Sequence, residues 1–284
     1  MNLHNIFDEI EKADPEFTGR TSPRREVIRN MGSFGKKVAL TALPLALGGL
    51  FKKAYGQTPS DVLDVLNFAL TLEYLESEFY KKGVATSGLI PAGTPAFTAL
   101  TRIRDDEAAH VAFLRTTIAS LQGGTQPATK TFASFDYTAK NTFPDVFSNY
   151  DTFLAVAQAF EDTGVRAYKG QAPRLMGTAN RAVLTAALQI HSVEARHASH
   201  LRQMRRARGA ASGTLKPWIT GTVSGIGSAT NAIYAGEDNT MQAGVNISGI
   251  TADGITISPN AATEAFDEFL TKDQVLAIVT PFLA

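Results

Sequence analysis

Apolar residues recur at helical spacing along four long stretches between about residue 60 and residue 208. The first runs from about Ser60, a plausible N-cap, to Gly83, with Val62, Leu66, Ala69, Glu73, Glu76 and Tyr80 on one stripe. The second opens at Thr94-Pro95, with threonine as N-cap and proline at the first helical position. It carries Leu100, Ile103, Glu107, His110, Leu114, Ile118 and Leu121 on one face and stops at Gly123-Gly124. A connection of about 25 residues follows, long enough to predict a crossover rather than a tight hairpin. The third stretch begins near Tyr150, places Leu154, Ala157, Glu161, Val165 and Tyr168 on one face, and ends at Pro173. The fourth runs from about Thr178 to Arg208, with Ile190, Glu194, His197, Leu201 and Met204 aligned. The pattern predicts an all-α fold: a four-helix bundle over residues 58–208 with a long crossover.

Residues 209–284 lose this periodicity. They are rich in Gly, Ser, Thr and Asn with short β-like runs such as "GVNISGI", and predict an irregular extension packing on the bundle. It ends in "TKDQVLAIVTPFLA", where Thr271 and Gln274 form a capping box ahead of a short apolar helix. The arginines of "RQMRRAR", closing the fourth stretch, fit the negative end of a helix and are expected to cap it and face solvent.

Six polar residues sit inside the apolar stripes instead of opposite them. Glu107 and His110 are three residues apart, so they project from one helix face about 60° from one another. Glu194 and His197 repeat that spacing, while Glu73 and Glu161 occupy stripe positions on the first and third stretches. An ionised carboxylate in a core costs several kcal/mol unless something compensates it. The two halves also match. Glu73 and Tyr80 recur 88 residues later as Glu161 and Tyr168, and Glu107, His110, Leu114 and Arg115 recur 87 residues later as Glu194, His197, Leu201 and Arg202. Glu, Glu-x-x-His, Glu, Glu-x-x-His is the ligand order of di-iron and di-manganese carboxylate bundles. Four carboxylates and two divalent ions leave a neutral centre with two imidazole ligands, and an O/N donor set without sulfur suits two ions of iron or manganese.

Composition narrows the alternatives. The chain contains no cysteine, which excludes disulfides, zinc–thiolate sites and thiol nucleophiles. Its net charge is zero, but residues 58–284 carry 18 basic and 21 acidic side chains, so the body is mildly acidic and offers no footprint for nucleic acid. The basic excess lies in residues 1–57. There Arg24-Arg25 precede the apolar run 38–51, which is flanked by Lys36-Lys37 and Lys52-Lys53 and followed by small residues in "AYGQ". That order resembles a twin-arginine export signal and predicts a periplasmic or cell-envelope location; the alternative is an amphipathic arm. At 14 residues with Pro44 inside, the run is too short to span a bilayer, so membrane contact is expected through this segment only.

On these residues, roughly 60–208, the chain resembles the ferritin-like superfamily, and more particularly exported bacterial ferritin-like proteins related to plant desiccation-related proteins. The resemblance implies that Glu107 and Glu194 bridge the two metals, that Glu73 and Glu161 are terminal carboxylates, and that His110 and His197 are terminal nitrogen ligands. By the same analogy a homodimer packed through the bundle is expected. The long extension and the export signal depart from cage-forming ferritins. Two functions follow. One is a dimetal oxidoreductase acting on O2 or H2O2 by ferrous oxidation, peroxide reduction or catalase-like dismutation. The other is a non-enzymatic stress or desiccation protein with a structural or degenerate metal site. No catalytic residue beyond the ligands is assigned. Around the ligands, Tyr80, Tyr168 and His191 are expected as a supporting shell. Glu76 and Glu78 align with Gly164 and Arg166 and are expected on a solvated face, and Asp106 and Asp162 are expected to point away from the stripes. His200 is expected packed or at the surface, and His4 and Trp218 carry no signal.

Overall fold

The computed structural model describes residues 59–177, 180–209 and 214–284, so the twin-arginine-like segment, the apolar run and His4 lie outside the described residues. Of the described residues, 59–250 and 256–284 belong to one compact unit, described below. It is built on four long helices: α1 (Pro59–Ala85), α2 (Pro95–Leu121), α3 (Tyr150–Gln171) and α4 (Arg181–Ala207). Among the described residues no helix is long and apolar enough to cross a membrane.

Local chemistry sets the boundaries. Thr94 caps α2 by accepting from the Phe97 amide at 3.2 Å, with Pro95 in the first turn. The Gly124 amide reaches back to the Ala119 carbonyl at 2.7 Å and closes that helix. Asn149 caps α3 through the Asp151 and Thr152 amides, and Pro173 falls in a single 3-10 turn, Ala172–Leu175, just past its end. Helix α1 begins at Pro59, which puts Ser60 within its first turn. Helices α1 and α2 pack as one pair and α3 and α4 as the other, joined by the crossover between residues 121 and 150.

Helix α3 is the central element, with 16 of its 22 residues buried. Its inner face carries the stripe read from the sequence; its outer face lies under the extension. Arg166 donates to the carbonyls of Glu268 at 3.0 Å, Ala235 at 2.8 Å and Ile233, and pairs with buried Glu237 at 2.8 Å. Asp162 accepts from Tyr234 at 2.6 Å and pairs with Arg202, while Arg205 bonds Gln158 and the Gly225 carbonyl. A Cβ on Gly170 would collide with the Leu270 carbonyl, so glycine is what lets the extension lie this close to α3.

The arginines at the end of α4 therefore differ from expectation. Arg202 and Arg205 are buried, because the extension covers the face they project from. Arg206 and Arg208 behave as expected: both are exposed, and Arg208 pairs with Asp151 and lies over the Tyr150 ring at 4.6 Å. Asp162 does point away from the ligand stripe, yet it too is buried. The extension contains the two-residue strands β1 (Met241–Gln242) and β2 (Val245–Asn246), paired antiparallel, and the helices α5 (Pro259–Glu264) and α6 (Lys272–Val279). Helix α6 starts at the Thr271/Gln274 capping box. Beyond it, Phe282 packs edge-on to Phe160 at 4.9 Å, and the Phe282 carbonyl accepts from the Asp136 amide in the crossover at 2.8 Å.

Candidate metal centre

Each long helix contributes to one buried cluster. Ligand atoms of Glu73, Glu107, His110 and Glu194 lie within 4.8 Å of one another, and so do those of Glu107, Glu161, Glu194 and His197. The two groups share Glu107 and Glu194, so all six residues singled out in the sequence come together. The four glutamates are fully buried, and the histidines nearly so.

Each imidazole presents Nδ1 to the carboxylates. His110 Nδ1 is 3.2 Å from Glu73 Oε2, 3.2 Å from Glu107 Oε2 and 3.4 Å from Glu194 Oε1, contacts drawn from three helices. His197 Nδ1 is 3.0 Å from Glu107 Oε1 and 3.2 Å from Glu161 Oε2. One N–H has one proton to donate, so these nitrogens leave most of the surrounding oxygens unserved. Among the described residues, Glu194 Oε2 is buried with no hydrogen bond, while Glu107 Oε1 and Glu194 Oε1 meet only the imidazole nitrogens, in contacts not aligned as hydrogen bonds. Unserved buried carboxylate oxygens carry a desolvation cost that a cation removes. The donor set therefore fits hard or borderline metal ions held by oxygen and imidazole.

The electrostatics agree. Burial, then the Glu73 charge, pushes the Glu107 carboxyl up to about 7 against the imidazoles of His110 and His197. Glu194 is raised well above the usual carboxylate range, first by burial and then by Glu107 and Glu161. Burial would lower the His197 imidazole, but Glu161 and Glu107 outweigh it and push it up to about 11. His110 is also raised, its contacts with Glu107, Glu194 and Glu73 outweighing burial. Without metal, the cluster holds protons at neutral pH where a metal site holds ions.

Both stripe tyrosines reach across the bundle. Tyr80 Oη donates to Glu161 Oε1 at 2.6 Å, and Tyr168 Oη donates to Glu73 Oε1. The two bonds are related by the 88-residue repeat and show that α1 and α3 run antiparallel. The repeat extends to the arginines: Arg115 donates to Tyr74, and Arg202, 87 residues on, pairs with Asp162, the counterpart of Tyr74. His191 does not join the centre. It is half-buried, and the charges acting on it are those of Asp267 and Lys169, because one turn before Glu194 the face of α4 has turned toward the extension.

Two carboxylates were misplaced by sequence reasoning. Asp106 does not point away: its Oδ2 lies 3.4 Å from His197 Nε2, behind the ring, while Arg102 pairs with it from the surface. A metal-ligating histidine is typically oriented by such a carboxylate on its second nitrogen. The repeat places Val193 at the matching position, which offers no acceptor to His110. Glu76, expected in solvent, is 3% exposed and faces the cluster. Glu78 is half-buried and pairs with Lys81 at 2.8 Å. His200 is exposed and Trp218 is 51% exposed. An open cavity of about 290 Å³, lined in part by Arg102, Asp106, Val193 and Arg196, reaches His110 and His197 from solvent.

Asp106→Ala is expected to weaken metal binding about 10- to 100-fold by freeing the His197 ring. Competition against a chelator measures this. Arg102→Ala, which removes only an exposed ion pair, should leave the affinity unchanged. Equal affinities for the two variants would remove Asp106 from the role of orienting carboxylate.

The family model for the ferritin-like domain matches residues 61–207, just over half of the 284 residues. No curated protein and no solved structure matches the chain.

Proposed function

The chain belongs to the ferritin-like domain family, and from that premise we propose that it holds two metal ions, iron or manganese, in a carboxylate-bridged centre that reacts with O2 or H2O2. The observation that carries this reading is the convergence of two imidazole nitrogens on four buried glutamates, three of whose oxygens make no hydrogen bond. Glu107 and Glu194 belong to both ligand groups and would be shared between the ions. Glu73 with His110 would complete one position, and Glu161 with His197 the other. Metal ions held there would supply redox equivalents to an oxygen species.

The surrounding residues keep this set ordered. Tyr80 and Tyr168 hold one oxygen each of Glu161 and Glu73, which leaves the other oxygens to face the centre. Asp106 fixes the His197 ring so that Nδ1 faces inward. Leu100, Leu114, Ile118, Leu154 and Leu201, all buried, exclude water from the bundle interior, and the cavity beside the two histidines gives small oxygen species their way in. Arg24-Arg25 with the apolar run 38–51 support export to the periplasm or envelope, outside the reducing cytoplasm. The resemblance to desiccation-related proteins supports a second reading, in which the metal is structural and the protein protects without turnover.

Elemental analysis followed by oxygen-electrode and peroxide-decomposition assays tests both readings. Two iron or manganese ions per chain and consumption of O2 or H2O2 are expected, with both lost in Glu107→Ala. Stoichiometric metal without turnover would favour the protective reading. A purified chain that neither contains nor takes up iron or manganese would overturn the dimetal reading.

A further inference from the structure

We infer that Glu76 joins the ligand set as a fifth carboxylate, in space that Gly164 leaves open, and that it makes the two halves of the centre bind their ions unequally. This rests on the dimetal reading above. Glu76 follows Glu73 by three residues on α1, so it projects from the same face toward the bundle interior. It is 3% exposed. The strongest influences on its carboxyl are burial and then the charges of Glu194, Glu107, Glu161 and Glu73, one from each long helix, and all push it well above the usual range.

The repeat shows how it fits. Its counterpart 88 residues on is Gly164, in the middle of α3. A Cβ there would lie 2.6 Å from Glu194 Oε2 and 3.3 Å from Glu76 Oε1. Any side chain at 164 would thus press on two carboxylates at once. Glycine inside a helix is unfavourable relative to alanine, and this contact gives that cost a reason. The glycine lets Glu76 and Glu194 approach one another over bare backbone. Both Glu194 oxygens are buried and make no hydrogen bond, and Oε2, the one that faces Gly164, has no cation beside it among the described residues.

Two departures from the repeat therefore fall at the centre: Glu76 against Gly164, and Asp106 against Val193. Six of the ligands alone would make two equivalent positions.

Anaerobic titration with manganous ion alone, followed by calorimetry, tests the inference. The full-length protein is expected to take up two equivalents in two resolvable steps. Glu76→Gln should keep two equivalents but weaken the looser step at least tenfold, and Glu76→Asp, which retains the charge with shorter reach, should fall between. Glutamine is isosteric with the glutamate side chain, so metal-free E76Q should melt close to the parent. If the parent binds two ions and either variant gives the parent's isotherm, Glu76 is a buried core residue and the inference fails while the dimetal reading stands. If the parent binds none, the dimetal reading fails first.

Discussion

Stripped of metal, the protein is expected to lose stability as pH rises from about 4.5, and to regain it when manganous or ferrous ion is supplied at neutral pH. The sign follows from the buried cluster. Glu107 ionises near 7 when folded because of burial and the Glu73 charge, against 4.5 when unfolded. Between those values the folded state keeps a proton that the unfolded chain releases, so stability falls with pH across that window. Over the full shift this one carboxyl accounts for about 3 kcal/mol, at 1.36 kcal/mol per pH unit. Glu194 and Glu76 are shifted in the same direction. His197, raised by Glu161 and Glu107 against its burial, contributes stability fully present below pH 6.5 and lost as pH climbs toward 11. Carboxylates and histidines thus slope the same way. Metal reverses the slope, because its ligands must shed those protons and its affinity consequently rises with pH. At a free concentration a thousand times the dissociation constant, each ion adds about 4 kcal/mol. Scanning calorimetry in chelator at pH 5.5 and pH 8, each repeated with metal, reads both effects. A metal-free protein that melts higher at pH 8 than at pH 5.5 would overturn the account of the cluster.

What could be read from the sequence follows from which features are local. The six ligands were legible because a helix converts a spacing of three into a shared face, and because the second half of the bundle repeats the first. Helix existence was legible for the same reason, and the ends of α2 and the C-terminal end of α3 followed from Thr94, Gly124 and Pro173 acting within a few residues of themselves. Tyr80 and Tyr168 were visible on the stripe, but their crossed bonds depend on how α1 lies against α3, which no local spacing encodes. Glu76 was misread because its mismatch with Gly164 was taken as a sign of exposure. Its place on the stripe between Glu73 and Tyr80, and a glycine inside a helical pattern, were the signals that pointed inward. Asp106 lies at the edge of its helix face, where one ring rotation decides whether it meets His197. Arg202, Arg205 and Asp162 were unreadable for a different reason. Their burial is created by residues 214–284, whose loops carry no periodicity to announce which surface they cover.

Arg166→Ala should therefore be the most damaging single change outside the metal ligands, costing about 3–5 kcal/mol, the range for removing one partner of a buried ion pair. The guanidinium is 1% exposed and bonds three carbonyls, at 233, 235 and 268, besides the Glu237 carboxylate. Glu237 stands on the far side of that contact: burial pushes its carboxyl up to about 7 even with Arg166 beside it, so without the arginine it would be a buried acid with no counter-charge. Adding Glu237→Gln to the variant should consequently restore part of the loss, a non-additivity that a double-mutant cycle measures. The loss should be local at first. Arg166 and the Asp162–Tyr234 bond fasten the extension to the outer face of α3, whereas Glu161 and Tyr168 on the inner face are held from α1 and α4. Limited proteolysis of the variant should cut within residues 214–270 at temperatures where the bundle is intact, and metal uptake should still reach the parent's stoichiometry. Simultaneous loss of the extension and of metal binding would show instead that α3 cannot hold its inner face in place without its outer one. In that case the extension would be part of the metal centre's support and not only a cover laid over the bundle.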